Sequence, residues 1–328
     1  VSRRALVLAL GVAALVLLAA LPAFAEKFYV QLFTKILIMA IFAMSLDLVV
    51  GYTGLVSFGH AAFFGTAGYI LALVTPQYQA ANLWLTLALA LAGSAVLALA
   101  IGALVLRTSG IYFIMVTLAF AQMLFFLFHD TKIGGGSDGI YIHVRPVADI
   151  AGWQPFSLEN FVHYYYLVLV LAVATFLLLS RVLTSLFGQV IVGIRVNEHR
   201  MRSLGYPAFR YKLACFVLSG TLAGLAGYLA TVQFGFVNPD MLAWHLSGSV
   251  LMMVILGGMG TLIGPALGAM ALLVLELAFQ SLPAVGTLNL GKHWQLLMGA
   301  SIVVVALALP NGLVGLLGAW RRKEAVDE

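Results

Sequence analysis

Uninterrupted apolar runs of about 17 to 24 residues recur along this chain, and an α-helix needs about 20 apolar residues to cross the hydrocarbon core of a bilayer. A transmembrane β-barrel would alternate apolar and polar residues in segments of about ten. Continuous runs therefore point to helices, whose backbone groups are satisfied within each segment. Composition agrees: 63% of the 328 residues are hydrophobic, 9% are charged, and the mean hydropathy is +1.07. A soluble domain carries roughly a quarter charged residues. The reading is an all-α, polytopic integral membrane helix bundle, with residues 1–328 as a single transmembrane domain in the lipid bilayer.

Ten spans can be drawn, near 5–24, 36–50, 58–74, 83–106, 111–128, 162–180, 212–233, 246–263, 265–282 and 295–310. The first carries a double meaning. Arg3 and Arg4 precede it and AFAEK follows at 23–27, the layout of a cleavable signal peptide. Its length and the many spans behind it favour an uncleaved first helix, and either reading leaves Glu26 outside. The sequence pI near 9.4 does not point to nucleic acid, because Lys and Arg are confined to loops and ends. With the N-terminus inside, cytoplasmic segments hold Arg3, Arg4, Arg107, Arg181, Arg195, Arg200, Arg202, Arg210, Lys212, Arg321, Arg322 and Lys323. The outer segments hold Lys27, Lys35, Lys132, Arg145 and Lys292. Twelve inside against five outside accounts for all 17 basic residues and predicts N-in, C-in. Residues 129–160 are then a large outer (periplasmic) loop and residues 181–211 a basic cytoplasmic loop.

Several chemistries find no support. The only Gly-Lys pair, Gly291-Lys292, is followed by His293, so the G-x-x-x-x-G-K-[ST] nucleotide loop is absent. Ser57 and His60 share a segment, but no third partner and no G-x-S-x-G elbow accompany them; no catalytic residue is expected. Cys215 is the one cysteine, which excludes an internal disulfide, and no Cys/His cluster has metal-ligand spacing. Two acids fall inside spans, Asp47 and Glu276. An intramembrane acid is costly and is a functional candidate by default, against blander readings as a cap before the Gly51 turn and as an interhelical hydrogen-bond partner.

Two stretches depart from plain anchors. GYTGLVSFGHAAFFGTAGY, from residue 51, places Gly51, Gly54, Gly59, Ser57 and His60 at the start of an apolar span. With a short second span before it, this predicts a discontinuous helix start near 51–60, tolerated only where protein or a water-filled cavity covers it. A similar glycine-rich turn occurs at 257–264, but on the same cytoplasmic side, so the two do not form an inverted repeat. The second stretch is RVNEHRMRSLGYP at 195–207. Asn197 can cap a helix with Glu198 in its first turn, Gly205 supplies a left-handed stop, and Pro207 blocks continuation. A helix of about two turns is not stable alone in water and needs something to pack on. Arg200 and Arg202 lie about 200° apart around it, while Met201 and Leu204 share a face and are the expected apolar anchors.

These stretches occur in order with SGIYFIMVTLAFAQ, GGGSDGI, VILGGMGTLIGPALGA and LPNGLVGLL. Together, over about residues 36 to 318, the chain resembles the M-type (LivM-type) permease subunits of high-affinity branched-chain amino-acid ABC importers of the bacterial inner membrane. The resemblance implies a non-catalytic transport subunit that works with a second, H-type permease, two ATPase subunits that bind ATP and Mg, and a periplasmic amino-acid-binding protein. No cofactor is expected in this chain. The resemblance further implies that 51–60 lies on the translocation path and that residues 197–205 are the coupling helix. Here the family's E-A-A-x-x-x-G pattern is not kept, because His199 and Arg200 replace the alanines and Glu198 and Gly205 are seven apart. The path residues expected are Ser57, His60, Thr117 and Gln122, the last two about 140° apart on one helix. Leucine, isoleucine and valine are the expected substrates. Urea, other neutral amino acids or small organic acids remain alternatives within the class, and an ion-coupled transporter or channel using Asp47 and Glu276 is the alternative outside it.

Overall fold

The computed structural model describes residues 3–76, 78–149, 156–282, 293–309 and 311–315. Lys292 and the basic residues Arg321, Arg322 and Lys323 lie outside them. Twelve α-helices are described: α1 (Arg3–Phe24), α2 (Lys27–Thr53), α3 (His60–Val74), α4 (Leu83–Val105), α5 (Ile111–Asp130), α6 (Phe161–Thr184), α7 (Leu186–Val196), α8 (Glu198–Ser203), α9 (Ala208–Phe234), α10 (Trp244–Gly257), α11 (Gly264–Gln280) and α12 (Trp294–Ala308). Each of the ten expected spans has one helix at its core, though the span drawn at 246–263 runs six residues past the end of α10. Five of them, α2, α4, α5, α6 and α9, are long and apolar enough to cross a membrane, and the others are shorter apolar helices.

The centre of the bundle is α2 beside α9. Of their apolar windows, 83% and 72% are buried, against 17% for α5. Residues 222–232 of α9 are buried without a break, as befits a helix that is apolar all round. Its glycines explain how its neighbours come so close. A Cβ on Gly220 would meet Ala98 and Phe63, one on Gly224 would meet Ser94, and one on Gly227 would fall on the backbone of Phe64. In lipid there is little hydrophobic drive between helices, so such small-residue faces let dispersion hold them together. The α10–α11 hairpin closes the same way, with Gly257 against the Gly264 carbonyl and Gly268 against the Met253 carbonyl. It packs on α2. Helix α1 rests on α6, where Tyr165 Oη donates to Leu18 O (2.7 Å) and Tyr166 Oη to Ala19 O (3.0 Å).

Two expectations need correction. The second span is not short: α2 has 27 residues. Polar Lys27, Gln31, Thr34 and Lys35 interrupt the apolar run, yet the helix absorbs them. Lys27 Nζ sits 4.1 Å from the Phe161 ring centroid, Gln31 O accepts from Gln233 Nε2 at 2.9 Å, and Thr34 Oγ1 donates to Val30 O at 2.7 Å. The 181–211 segment is largely helical rather than a loop, because α7 buries Gly188, Val190, Ile191 and Ile194 on one face. In the 129–160 segment, Ile140–Tyr141 forms a two-residue strand antiparallel to Phe236–Val237. Arg145 ties the segment down further through Leu158 O (2.8 Å) and Gln233 O (3.4 Å).

Candidate functional site

The expected discontinuity near 51–60 is a break between α2 and α3. Gly54 closes α2 in the left-handed conformation (φ +75°), its N–H bonded to Val49 O, a backbone that only glycine adopts readily. Residues 54–59 are not helical, and α3 begins at His60. Within the break Ser57 and Gly59 are buried, and His60 is fully buried at its end. A buried amide or hydroxyl without a partner costs about 1–3 kcal/mol, so each of these groups is paired. Ser57 Oγ accepts from Gly59 N–H (3.2 Å) and lies 2.9 Å from His60 Nδ1. His60 Nε2 lies 2.8 Å from Ser219 Oγ, and the Ser219 hydroxyl donates to Ser45 O.

That last bond sets the direction of the whole relay. With its proton on Ser45 O, Ser219 Oγ can only accept from His60, so the imidazole carries a proton on Nε2, and in the neutral ring Nδ1 accepts from Ser57. His60 therefore links α3 to α9, and Ser219 links α9 to α2. From α10, Ser247 Oγ accepts from Ala61 N–H (2.8 Å) in the first turn of α3. Thr117 of α5 is also buried, and its Oγ1 accepts from Phe58 N–H at 3.3 Å. A Cβ on Gly59 would lie 2.7 Å from Thr117 O, so α5 can approach only because residue 59 has no side chain. Ser57, His60 and Thr117 are thus brought together. Gln122 is not among them; it is half-buried elsewhere on α5. The sequence reading missed Ser45, Ser219 and Ser247. The signal was there: isolated polar hydroxyls set in otherwise apolar helices, such as Ser45 in FAMSL.

At the other candidate site, α8 forms over Glu198–Ser203 with Asn197 as its cap, Oδ1 accepting from Arg200 N–H at 2.9 Å. Gly205 adopts φ +88° and donates to Arg202 O (2.9 Å). Glu198 pairs with Arg202 (2.6 Å) and Lys212 (2.5 Å). Partial burial works to raise its pKa, but the hydrogen bonds and charges of Lys212 and Arg202 outweigh burial and hold it below the usual value. The two expected anchors do not share a docking face. Met201 turns inward, packing on Val190, Ile194 and Ala208 and lying against Gly193. Leu204 caps the helix beyond its last turn and is 65% exposed. The face left open carries Arg200 and Leu204, since Arg202 is held by Glu198.

The two intramembrane acids are both engaged. Asp47 is 1% exposed, and its Oδ1 accepts from Gly260 N–H at 2.9 Å. Glu276 is half-buried and bonded within its own helix to Gln280 Nε2 (3.3 Å). Cys215 is buried, its thiol 3.6 Å from Leu48 O. Among the described residues no group of three His, Cys, Asp or Glu side chains has the geometry to hold a metal ion.

The family described as "Branched-chain amino acid transport system / permease component" matches residues 28–306. Among curated proteins, the chain is 30% identical over 322 residues to the high-affinity branched-chain amino acid transport system permease protein LivM of Escherichia coli, across 92% of this chain and 74% of that protein. It is 30% identical over 321 residues to LivM of Salmonella typhimurium, across 92% and 73%. A shorter stretch of 110 residues is 36% identical to the autoinducer 2 import system permease protein LsrC of Klebsiella pneumoniae, across 32% of this chain and 31% of that one. No solved structure matches.

Proposed function

Because the chain belongs to the branched-chain amino acid transport system permease family, we propose that it forms half of the translocation path of an ATP-driven importer carrying leucine, isoleucine or valine into the cytoplasm. It is a multi-pass membrane protein, in the bacterial inner membrane on this reading. ATP and Mg are bound by two separate ATPase subunits, since the chain lacks a nucleotide loop. A second permease completes the path, and a periplasmic amino-acid-binding protein delivers the substrate. The path runs beside the break at 54–59, where Ser57, His60 and Thr117 meet, with Gln122 farther along α5. The observation that carries the reading is α8. It buries no residue, yet it is delimited by a cap and a left-handed glycine, and it presents Arg200 and Leu204 outward. A six-residue helix so built is a coupling helix awaiting an ATPase groove.

The reading is tested by reconstituting the chain with its second permease, ATPase subunits and binding protein in proteoliposomes. Leucine uptake is expected to require ATP, and urea, other neutral amino acids and small organic acids are run as competing substrates. Uptake that proceeds without ATP and follows an imposed ion gradient would overturn it in favour of an ion-coupled transporter using Asp47 and Glu276. The twelve-to-five basic asymmetry supports an N-in, C-in orientation. Ser137 and Ser203 are both exposed and sit at opposite ends of α6 in the chain's path. In the same vesicles a cysteine at Ser137 is expected to react with an impermeant reagent from outside, and one at Ser203 from inside. The reverse pattern refutes the orientation.

A further inference from the structure

The two glycine-rich turns that look alike in sequence meet in space, and a single arginine joins them to α8. Arg195 stands in the last turn of α7, two residues before the Asn197 cap of α8. Its guanidinium donates to Gly51 O in the last turn of α2, where helix carbonyls lack partners and the helix dipole is negative. A Cβ on Gly51 would strike Gly260 N and Asp47 Oδ1. The backbone of the 258–263 turn therefore lies directly on α2, latched by the Gly260–Asp47 bond of 2.9 Å. A Cβ on Gly260 would lie 3.1 Å from Gly51 O and 3.5 Å from Arg195 Nη1. Arg195, the end of α2 and the α10–α11 turn thus share one node.

Two features make the node a relay and not only a clasp. Asp47 Oδ2 is buried and has no hydrogen-bond partner among the described residues, although Asp47 and Gly51 are one turn apart on the same face of α2. Arg195 thus has a second acceptor close by, and a buried half-satisfied carboxylate favours its capture. A groove of about 400 Å³ lined by Arg195, Gly258, Thr261, Asn311 and Gly312 leaves the side chain room to move. On its other side Arg195 is stiffly tied to α8, because Met201 is wedged against Gly193, Val190 and Ile194 of α7.

We propose that Arg195 is the positioning residue that converts displacement of α8 into movement of α2 and the α10–α11 hairpin, exchanging Gly51 O for the free oxygen of Asp47. This rests on the assignment of α8 as the coupling helix. It adds a residue that touches neither ATP nor substrate and acts through the helices it joins.

The assembled transporter in proteoliposomes provides the test, with Arg195→Met, Arg195→Lys and Asp47→Asn compared for ATPase association, ATP hydrolysis and leucine taken up per ATP. Arg195→Met is expected to keep its ATPase subunits and hydrolyse ATP, while uptake per ATP falls by about tenfold, within the usual range for coupling between distant sites. Arg195→Lys, which keeps the charge and N–H donors but not the planar fork, recovers part of it. Asp47→Asn, which weakens the second acceptor, also lowers uptake per ATP. Unchanged uptake per ATP in Arg195→Met overturns the relay and leaves the permease reading standing. Failure of all three variants to accumulate as folded protein makes the node purely structural and equally overturns it. If the unaltered chain binds no ATPase, or an Arg200→Glu, Leu204→Asp variant binds it normally, the coupling-helix assignment falls instead.

Discussion

Gly227→Val is expected to abolish accumulation of folded protein. A Cβ at residue 227 would fall on the carbonyl carbon and oxygen of Phe64. These are backbone atoms of α3 and have no rotamer by which to move aside. Over-packing a core commonly costs about 1–3 kcal/mol, and an obstacle made of main chain puts this substitution at or beyond the upper end. Relief would require α3 to retreat from α9, opening the contacts at Gly220 and Gly224 as well. Gly299→Ala is the control, because no atom of the described residues lies within 4 Å of its added carbon. There the change should be neutral or raise stability by about 0.5–1 kcal/mol, the usual penalty of a mid-helix glycine. Yield of monodisperse protein in mild detergent, together with its thermal unfolding midpoint, reads both. Wild-type behaviour of Gly227→Val would show that the α3–α9 seam is not as tight as described.

The second large effect belongs to the buried relay. His60→Leu removes the acceptor of the Ser57 hydroxyl and the donor to Ser219, inside a site of zero exposure. It also removes the ring that meets Phe63 and Phe216 edge-on, each at 5.6 Å between centroids. Stranding buried polar groups costs about 1–3 kcal/mol, whereas replacing all partners with apolar groups of similar shape can be nearly neutral. The triple variant Ser57→Ala, His60→Leu, Ser219→Ala removes both stranded hydroxyls, leaving only Gly59 N–H without its side-chain acceptor, and is expected to be more stable than His60→Leu alone. If the relay borders the path as proposed, the triple variant regains stability but not leucine uptake. Recovery of both would make the relay a structural strut between α2, α3 and α9.

What could be read in advance followed from how local each cause is. Apolar runs report helices directly, so every expected span has one at its core. The N-terminal extension of α2 was hidden because Lys27 and the Gln31 carbonyl find partners on α6 and α9, far away in sequence, while Thr34 bonds back within its own helix. Helix α7 was hidden for the opposite reason. Its apolar face is narrow and is covered only by neighbours that the folded chain brings near. The cap and stop of α8 are local, and Asn197 and Gly205 behave as their types require. The facing of Met201 and Leu204 is tertiary, and periodicity alone could not separate them once the helix ended a residue early. At the candidate path, Ser57, His60 and Thr117 converge. The serines that complete the network, Ser45, Ser219 and Ser247, come from three other helices, and no spacing rule connects them to His60. The two glycine turns looked alike but did not form an inverted pair; they are contact partners.

Seams made of glycine on backbone have a mechanical meaning. Where Gly227 meets Phe64, and where Gly257 and Gly268 meet Gly264 and Met253, no side chain is ordered when the helices close and none is freed when they part. Such a seam has one working distance, so α3 travels with α9 and α10 with α11 as paired stiff rods. The 258–263 turn then moves with its hairpin, and bending at the glycine-rich breaks is left to residues 54–59, which are not helical and join α2 to α3. Spin-label distances across the α10–α11 seam would then stay constant through every step of a transport cycle, while those across the 54–59 break would change.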